Sequence, residues 1–120
     1  MQTRAKPSFS VVFQRHIESV VVHLNSSTPA HEALQTLKLI VTNCSSLPNV
    51  QKYRLIRARG AAIGKLLNVH GGPESLVMLG AVKSIKDFEA FYSFPITAEV
   101  QEMHLQSIEI INTYIAELNR

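Results

Sequence analysis

The chain has 120 residues, 46% of them hydrophobic and 18% charged, with a net charge of +3. That is enough chain for one domain with its own core, and too apolar a mixture for a disordered tail. The small positive charge permits attraction to an acidic peptide or a nucleic acid and requires neither.

Cys44 is the single cysteine. It excludes an internal disulfide, so a reducing compartment is expected: the cytoplasm first, with the nucleus as a second compartment. The opening stretch Met1 to Pro7 is basic, but Phe9 to Leu24 is interrupted by Gln14, Arg15, His16, Glu18 and His23. This does not read as the apolar region of a signal peptide, and no apolar run approaches the ~20 residues of a membrane span.

Residues 1–8 read as a flexible arm, followed by a single domain over 9–120. Phe9, Phe13, Ile17, Val20, Val21 and Leu24 recur at steps of three and four, which predicts a helix. Asn25-Ser26-Ser27 breaks it. Thr28-Pro29 predicts the next helix start, a capping hydroxyl followed by proline at the first helical position. Ala30, Ala33, Leu34, Leu37, Ile40, Val41 and Cys44 form its apolar stripe, with Asn43 in the last turn. Ser45 to Asn49 is a loop.

The stretch Lys52-Tyr53-Arg54-Leu55-Ile56-Arg57-Ala58-Arg59-Gly60 gathers four basic residues around one aromatic and two aliphatic side chains. Tyr53 and Arg57 are four apart; they share a face if the segment is a strand and roughly share one if it is a helix. A ring beside a guanidinium can hold an apolar group and a negative or carbonyl-rich group of one ligand. The plainer alternative is a solvated basic strand beside a core tyrosine. A helix is expected from Ala61 to about Asn68, a turn at Gly71-Gly72, and a short helix opened by Pro73 and stopped by Gly80. Val82, Ile85, Phe88, Phe91 and Phe94 predict two strands turning near Lys86-Asp87. Thr97 caps a last helix with Val100, His104, Ile108, Ile111, Ile115 and Leu118 inward, and Ile110 and Tyr114 widening that face.

The order Asn43, Pro48-Asn49, Lys52-Tyr53-Arg54, Ile56-Arg57, Leu66-Leu67, Gly71-Gly72, Glu74-Ser75-Leu76 and Leu79-Gly80 resembles the PUB (or PUG) domain. That family is known from peptide:N-glycanase and from adaptors of the valosin-containing protein ATPase. The likeness covers roughly residues 30–118. It implies a mostly helical α+β fold, about five or six helices with a small three-stranded antiparallel sheet in which Tyr53 to Arg57 is a strand. It also implies an adaptor that binds a short acidic C-terminal or linear peptide, most of all the tail of a valosin-containing-protein-type AAA ATPase, in ubiquitin-linked protein quality control. Carried across, Asn43 matches the residue that bonds the peptide backbone, Tyr53 the one that lines an aromatic pocket, and Arg57 the basic residue that holds polar groups of the ligand. Lys52, Arg54 and Arg59 supply a supporting basic patch. Two positions depart from the family pattern. Gly60 stands where the family has a second asparagine, and Gly80-Ala81 stands for Gly-Phe. The lost amide of position 60 is expected to weaken binding, and the departures open a third reading, a PUB fold kept only for structural contacts.

Other chemistries are weaker in the sequence. His16 and His23 are seven apart, with no third ligand nearby, so no metal is expected. His104 reads as a core residue. Cys44 lies on an apolar stripe, Asp87 is the only aspartate, and neither a nucleophile motif nor a phosphate loop is present. The chain therefore reads as no enzyme and without a cofactor. A basic nucleic-acid-binding module is the alternative, with Tyr53 stacking on a base amid Lys52, Arg54, Arg57, Arg59 and Lys65.

Overall fold

The computed structural model describes residues 8–119. The arm expected at 1–8 lies outside them except for Ser8, whose hydroxyl caps helix α1 (Phe9–His16) by accepting from the amide of Val11 at 3.4 Å. The helix runs on as a π-helical segment, Ile17–Val22, in which the amide of His23 reaches back five residues to the carbonyl of Glu18. The wider turn stacks Phe13, Ile17 and Val21 in the core at steps of four. It carries Leu24, expected on the buried stripe, outward to 54% exposure.

Helix α2 (Ser27–Ser46) buries Ala30, Ala33, Leu34, Leu37, Ile40, Val41 and Cys44, the stripe read from the sequence. Its cap and its first helical residue each lie two positions before the expected Thr28 and Pro29. Ser26 is the N-cap, its carbonyl accepting from Ala30 at 3.0 Å, and Pro29 takes the third helical position. An amide in that first turn has no partner within the helix, so proline is tolerated there as well. The long helix α6 (Ala98–Leu118) packs along α2. Thr97 caps it as expected, accepting from Val100 at 3.1 Å. Its buried line is Val100, His104, Ser107, Ile111 and Tyr114, while Ile108, Ile115 and Leu118 are only half-buried. The helix is thus rotated toward Tyr114, whose hydroxyl donates to Glu18 at 3.3 Å.

Between these helices lie α3 (Gln51–Arg54), β1 (Leu55–Arg57), α4 (Ala61–Leu67), α5 (Gly72–Met78), β2 (Val82–Lys86) and β3 (Glu89–Ser93). The result is α+β and mostly helical, with one three-stranded antiparallel sheet of order β1-β3-β2. The strand expected from Tyr53 begins only at Leu55, and Lys52, Tyr53 and Arg54 form a helical turn. The local bonds explain this. The amide of Tyr53 is taken by Val50 and its carbonyl by the thiol of Cys44, so the first carbonyl given to the sheet is that of Arg54, which accepts from Phe94 at 2.9 Å.

Two turns fix the rest. Helix α5 ends with Gly80 at φ 99°, where the amides of Gly80 and Ala81 return to Val77 and Leu76, both at 3.0 Å. This satisfies two terminal carbonyls and turns Ala81 into the core. The hairpin turns at Asp87 and Phe88, both with positive φ (53° and 64°), a pattern of the type I′ loops that suit strand twist. The corner between α4 and α5 is held by Asn25, whose side chain both donates to the carbonyl of His70 and accepts from its amide, each at 3.0 Å.

Candidate functional site

The sheet has one face on the core and one open. Ile56 and Tyr92 are cross-strand partners facing inward, both buried. Period two then turns Leu55 and Arg57 of β1, and Phe91 of β3, to the open face. Arg57 and Phe91 are themselves cross-strand partners, and the guanidinium lies 6.0 Å from the ring centroid. At an exposed position such a contact contributes about 0.5–1 kcal/mol. Leu55, Arg57, Ser84, Lys86, Asp87, Glu89 and Phe91 border a concavity of about 410 Å³. Glu89 is engaged by Arg59 at 3.1 Å. Among the described residues Arg57 makes no ion pair. An apolar floor of Leu55 and Phe91, with Arg57 and Lys86 at its rim beside Asp87 and Glu89, can take an aliphatic or aromatic side chain whose carboxylate reaches the two cations.

The other expected site residues lie at the corner between α2 and α3. Asn43 is half-buried in the last turn of α2, its carbonyl accepting from Leu47 at 3.0 Å. Its neighbour Cys44 donates its thiol to the carbonyl of Tyr53 at 3.1 Å, which brings the two residues to one corner. The Tyr53 ring is half-buried, with the ammonium of Lys52 5.1 Å from its centroid. Tyr53 and Asn43 do not line the concavity beside Arg57. With Tyr53 in a helical turn and Arg57 in a strand, the shared face of a continuous strand does not form.

Arg54 turns inward. Its Nη1 reaches the carbonyl of Phe94 at 3.4 Å, and its Nε is buried without a hydrogen-bond partner among the described residues. It borders a void of about 10 Å³ shared with Cys44, Pro48, Gln101 and His104, about the size of one water molecule. Burial pushes the Cys44 thiol up to about 11, against the opposing pull of the Arg54 charge. It stays protonated at neutral pH, which suits a core side chain and not a nucleophile.

Gly60 is the N-cap of α4, exposed, at φ −59° and ψ 145°. A side chain there would meet only ordinary contacts, the nearest being the carbonyl of Arg57 at 3.6 Å. Ala81, the other departure, is buried in the core.

Two histidines, His16 and His104, bond other elements of the fold. His16 Nε2 stands 3.0 Å from the carbonyl of Gly71 and 2.9 Å from the hydroxyl of Ser75, while His23 is exposed. His104 is buried as expected, and its Nε2 donates to the carbonyl of Leu79 at 2.9 Å. Burial lowers its pKa, partly offset by that bond. Among the described residues no three His, Cys, Asp or Glu side chains gather as a metal-binding group, and no helix is long and apolar enough to cross a membrane.

Sequence reasoning missed Leu55 and Phe91 as site residues. The alternation of Leu55, Ile56 and Arg57 was available as a signal, but it is three residues long. The pairing that sets Phe91 beside Arg57 joins segments far apart in the chain. No protein-family model matches this sequence, and no curated protein matches it.

Proposed function

We propose that this chain is a PUB-type adaptor that docks a short acidic peptide, most of all the C-terminal tail of a valosin-containing-protein-type AAA ATPase, in ubiquitin-linked protein quality control in the cytoplasm or nucleus. The reading rests on the sequence resemblance, and one observation carries it further: Arg57, without an ion-pair partner among the described residues, lies against Phe91 at the edge of an open concavity. An apolar side chain of the peptide would cover Leu55 and Phe91, and its carboxylates would meet Arg57 and Lys86. Tyr53, four residues before Arg57, and Asn43, at the same corner as Tyr53, would receive the flanking peptide backbone. The buried anchor supplies most of the affinity in such a complex, and the charges set orientation and association rate. The domain works by binding and not by catalysis, consistent with its protonated, buried cysteine.

The nucleic-acid alternative draws less support from the arrangement of the basic residues. Lys52 lies over Tyr53, Arg59 is paired with Glu89, and Arg54 points inward, so the four do not present one continuous basic stripe. Calorimetric titration with an acidic peptide ending in Leu-Tyr tests the proposal. Binding at about micromolar strength, abolished by Arg57→Ala and weakened by Tyr53→Ala, is the expected result. No heat change at about 1 mM peptide, together with single-stranded RNA binding that falls steeply with salt, would replace it by the nucleic-acid reading.

A further inference from the structure

Strand β2 is an edge of the sheet, and all five of its residues, Val82 to Lys86, are exposed. Its ladder polarity follows from the bonds around β3. The carbonyl of Ala90 accepts from Ala58, and the amide of Phe94 donates to Arg54, so residues 90, 92 and 94 turn their main-chain groups toward β1. By the alternation of an antiparallel ladder, Glu89, Phe91 and Ser93 turn theirs toward β2, where their partners are Lys86, Ser84 and Val82. Lys83 and Ile85 therefore direct their amides and carbonyls outward from the sheet, where β2 has no further strand beside it.

The side chains around this edge are not those of a merely blunted strand. Ile85 is 75% exposed, and Phe88, at the tip of the hairpin, is fully exposed although its backbone is held in the left-handed region. A bulky residue in that conformation without packing is strained, and strain of this kind gathers at functional positions. Lys83 and Lys86 give the strand two positive charges, and the strand holds no acidic residue. Edge lysines disfavour pairing with a second copy, since like charges would be brought together, and favour an acidic chain.

We propose that the outer edge of β2 is a second docking site, which takes an extended acidic segment of a partner protein as a fourth strand. Main-chain bonds to Lys83 and Ile85 would provide the attachment. Lys83 and Lys86 are three apart and lie on opposite faces of the strand, so the acids of an antiparallel partner also stand three apart. The residue opposite Ile85 is apolar. The resulting pattern, read from the partner's N-terminus, is Glu-Val-Thr-Glu or a chemical equivalent. This site shares Lys86 with the concavity at Arg57, but its main-chain attachment at Lys83 and Ile85 does not rest on the tail-docking reading.

The test uses the full chain and the peptide Ser-Glu-Val-Thr-Glu-Ser, capped at both ends so that it offers no terminal carboxylate. Amide hydrogen exchange is followed residue by residue. At saturating peptide the amides of Lys83 and Ile85 should slow by about tenfold. The same peptide with lysine in place of both glutamates, or N-methylated at alternate amides, should give no slowing. Ile85→Pro removes an outward amide without breaking a bond to β3 and should abolish the effect, whereas Arg57→Ala should leave it intact. Failure of both amides to slow at about 1 mM peptide overturns the proposal. So does slowing that persists with the N-methylated peptide, or slowing without peptide that grows with protein concentration, which would mark a second copy as the occupant.

Discussion

The guanidinium of Arg57 and the ring of Phe91 meet across the β1–β3 ladder, as direct register partners 6.0 Å apart. The contact fixes a long, flexible side chain at the rim of the concavity, so less of its freedom is left to lose when a ligand binds. Phe91→Ala should therefore weaken peptide binding even if Phe91 touches the ligand little, and Arg57→Lys should recover only part of what Arg57→Ala loses, because an ammonium cannot form the planar two-pronged contact. A double-mutant cycle on peptide affinity should give a coupling of about 0.5–1 kcal/mol between positions 57 and 91. Strict additivity would show that the two side chains act separately.

Gly60→Asn should stabilise the fold. The backbone at position 60 is already that of a helix cap, and an added side chain meets only ordinary contacts. Asparagine would accept from an amide in the first turn of α4 and would reduce the freedom of the unfolded chain, together about 0.5–1 kcal/mol. Urea unfolding should show a higher midpoint with an unchanged slope. If the restored amide also contacts the docked peptide, affinity should rise in the same variant.

Two small residues should tolerate no enlargement. A Cβ on Gly72 would run into the backbone carbonyl of Leu66, which cannot step aside as a side chain can. Gly72→Ala should cost about 2–3 kcal/mol in equilibrium unfolding. Ala81→Phe, which would restore the ring of the family pattern, places it in a position already 94% buried among core side chains, as the 6% exposure of Ala81 shows. It should destabilise by about 1–3 kcal/mol.

Stability should fall as the solution is acidified below about 6.5, the ordinary histidine value. His104 is buried, and its folded pKa lies lower than that. Between the two values the unfolded chain binds a proton that the native protein excludes, so stability rises with pH through this window. It is fully present above 6.5, is lost toward the lower folded value, and levels off below it. The slope from one such group reaches at most about 1.4 kcal/mol per pH unit. His104→Gln keeps a donor for the carbonyl of Leu79 and should flatten the profile below pH 6.5. A slope equal to that of the native chain would assign the effect to other groups.

Much of the helical framework was legible because its signals are local and repeat. The seven-residue stripe of α2, the Thr97 cap and the Gly80 stop each need only a few neighbouring residues. Tyr53 was misplaced in a strand because a four-residue segment carries no period to read, and its conformation is set by Val50 and by a thiol on another helix. Leu24 was misplaced because a change of helical pitch at Ile17 is not written in the spacing that precedes it. For the candidate site, the sequence named Arg57 but paired it with the wrong aromatic. The ring it touches comes from β3 and is supplied only when the sheet closes.

The two-way bonding between Asn25 and the main chain of His70 joins positions 45 residues apart. One short amide side chain thereby acts as a rivet between the first helical arm and the bend that precedes α5. Neither part can loosen alone, because freeing the bend strips both bonds from the rivet at once. The far end of the bundle should breathe as one piece, leaving the sheet and its hairpin the freer to answer a visiting chain.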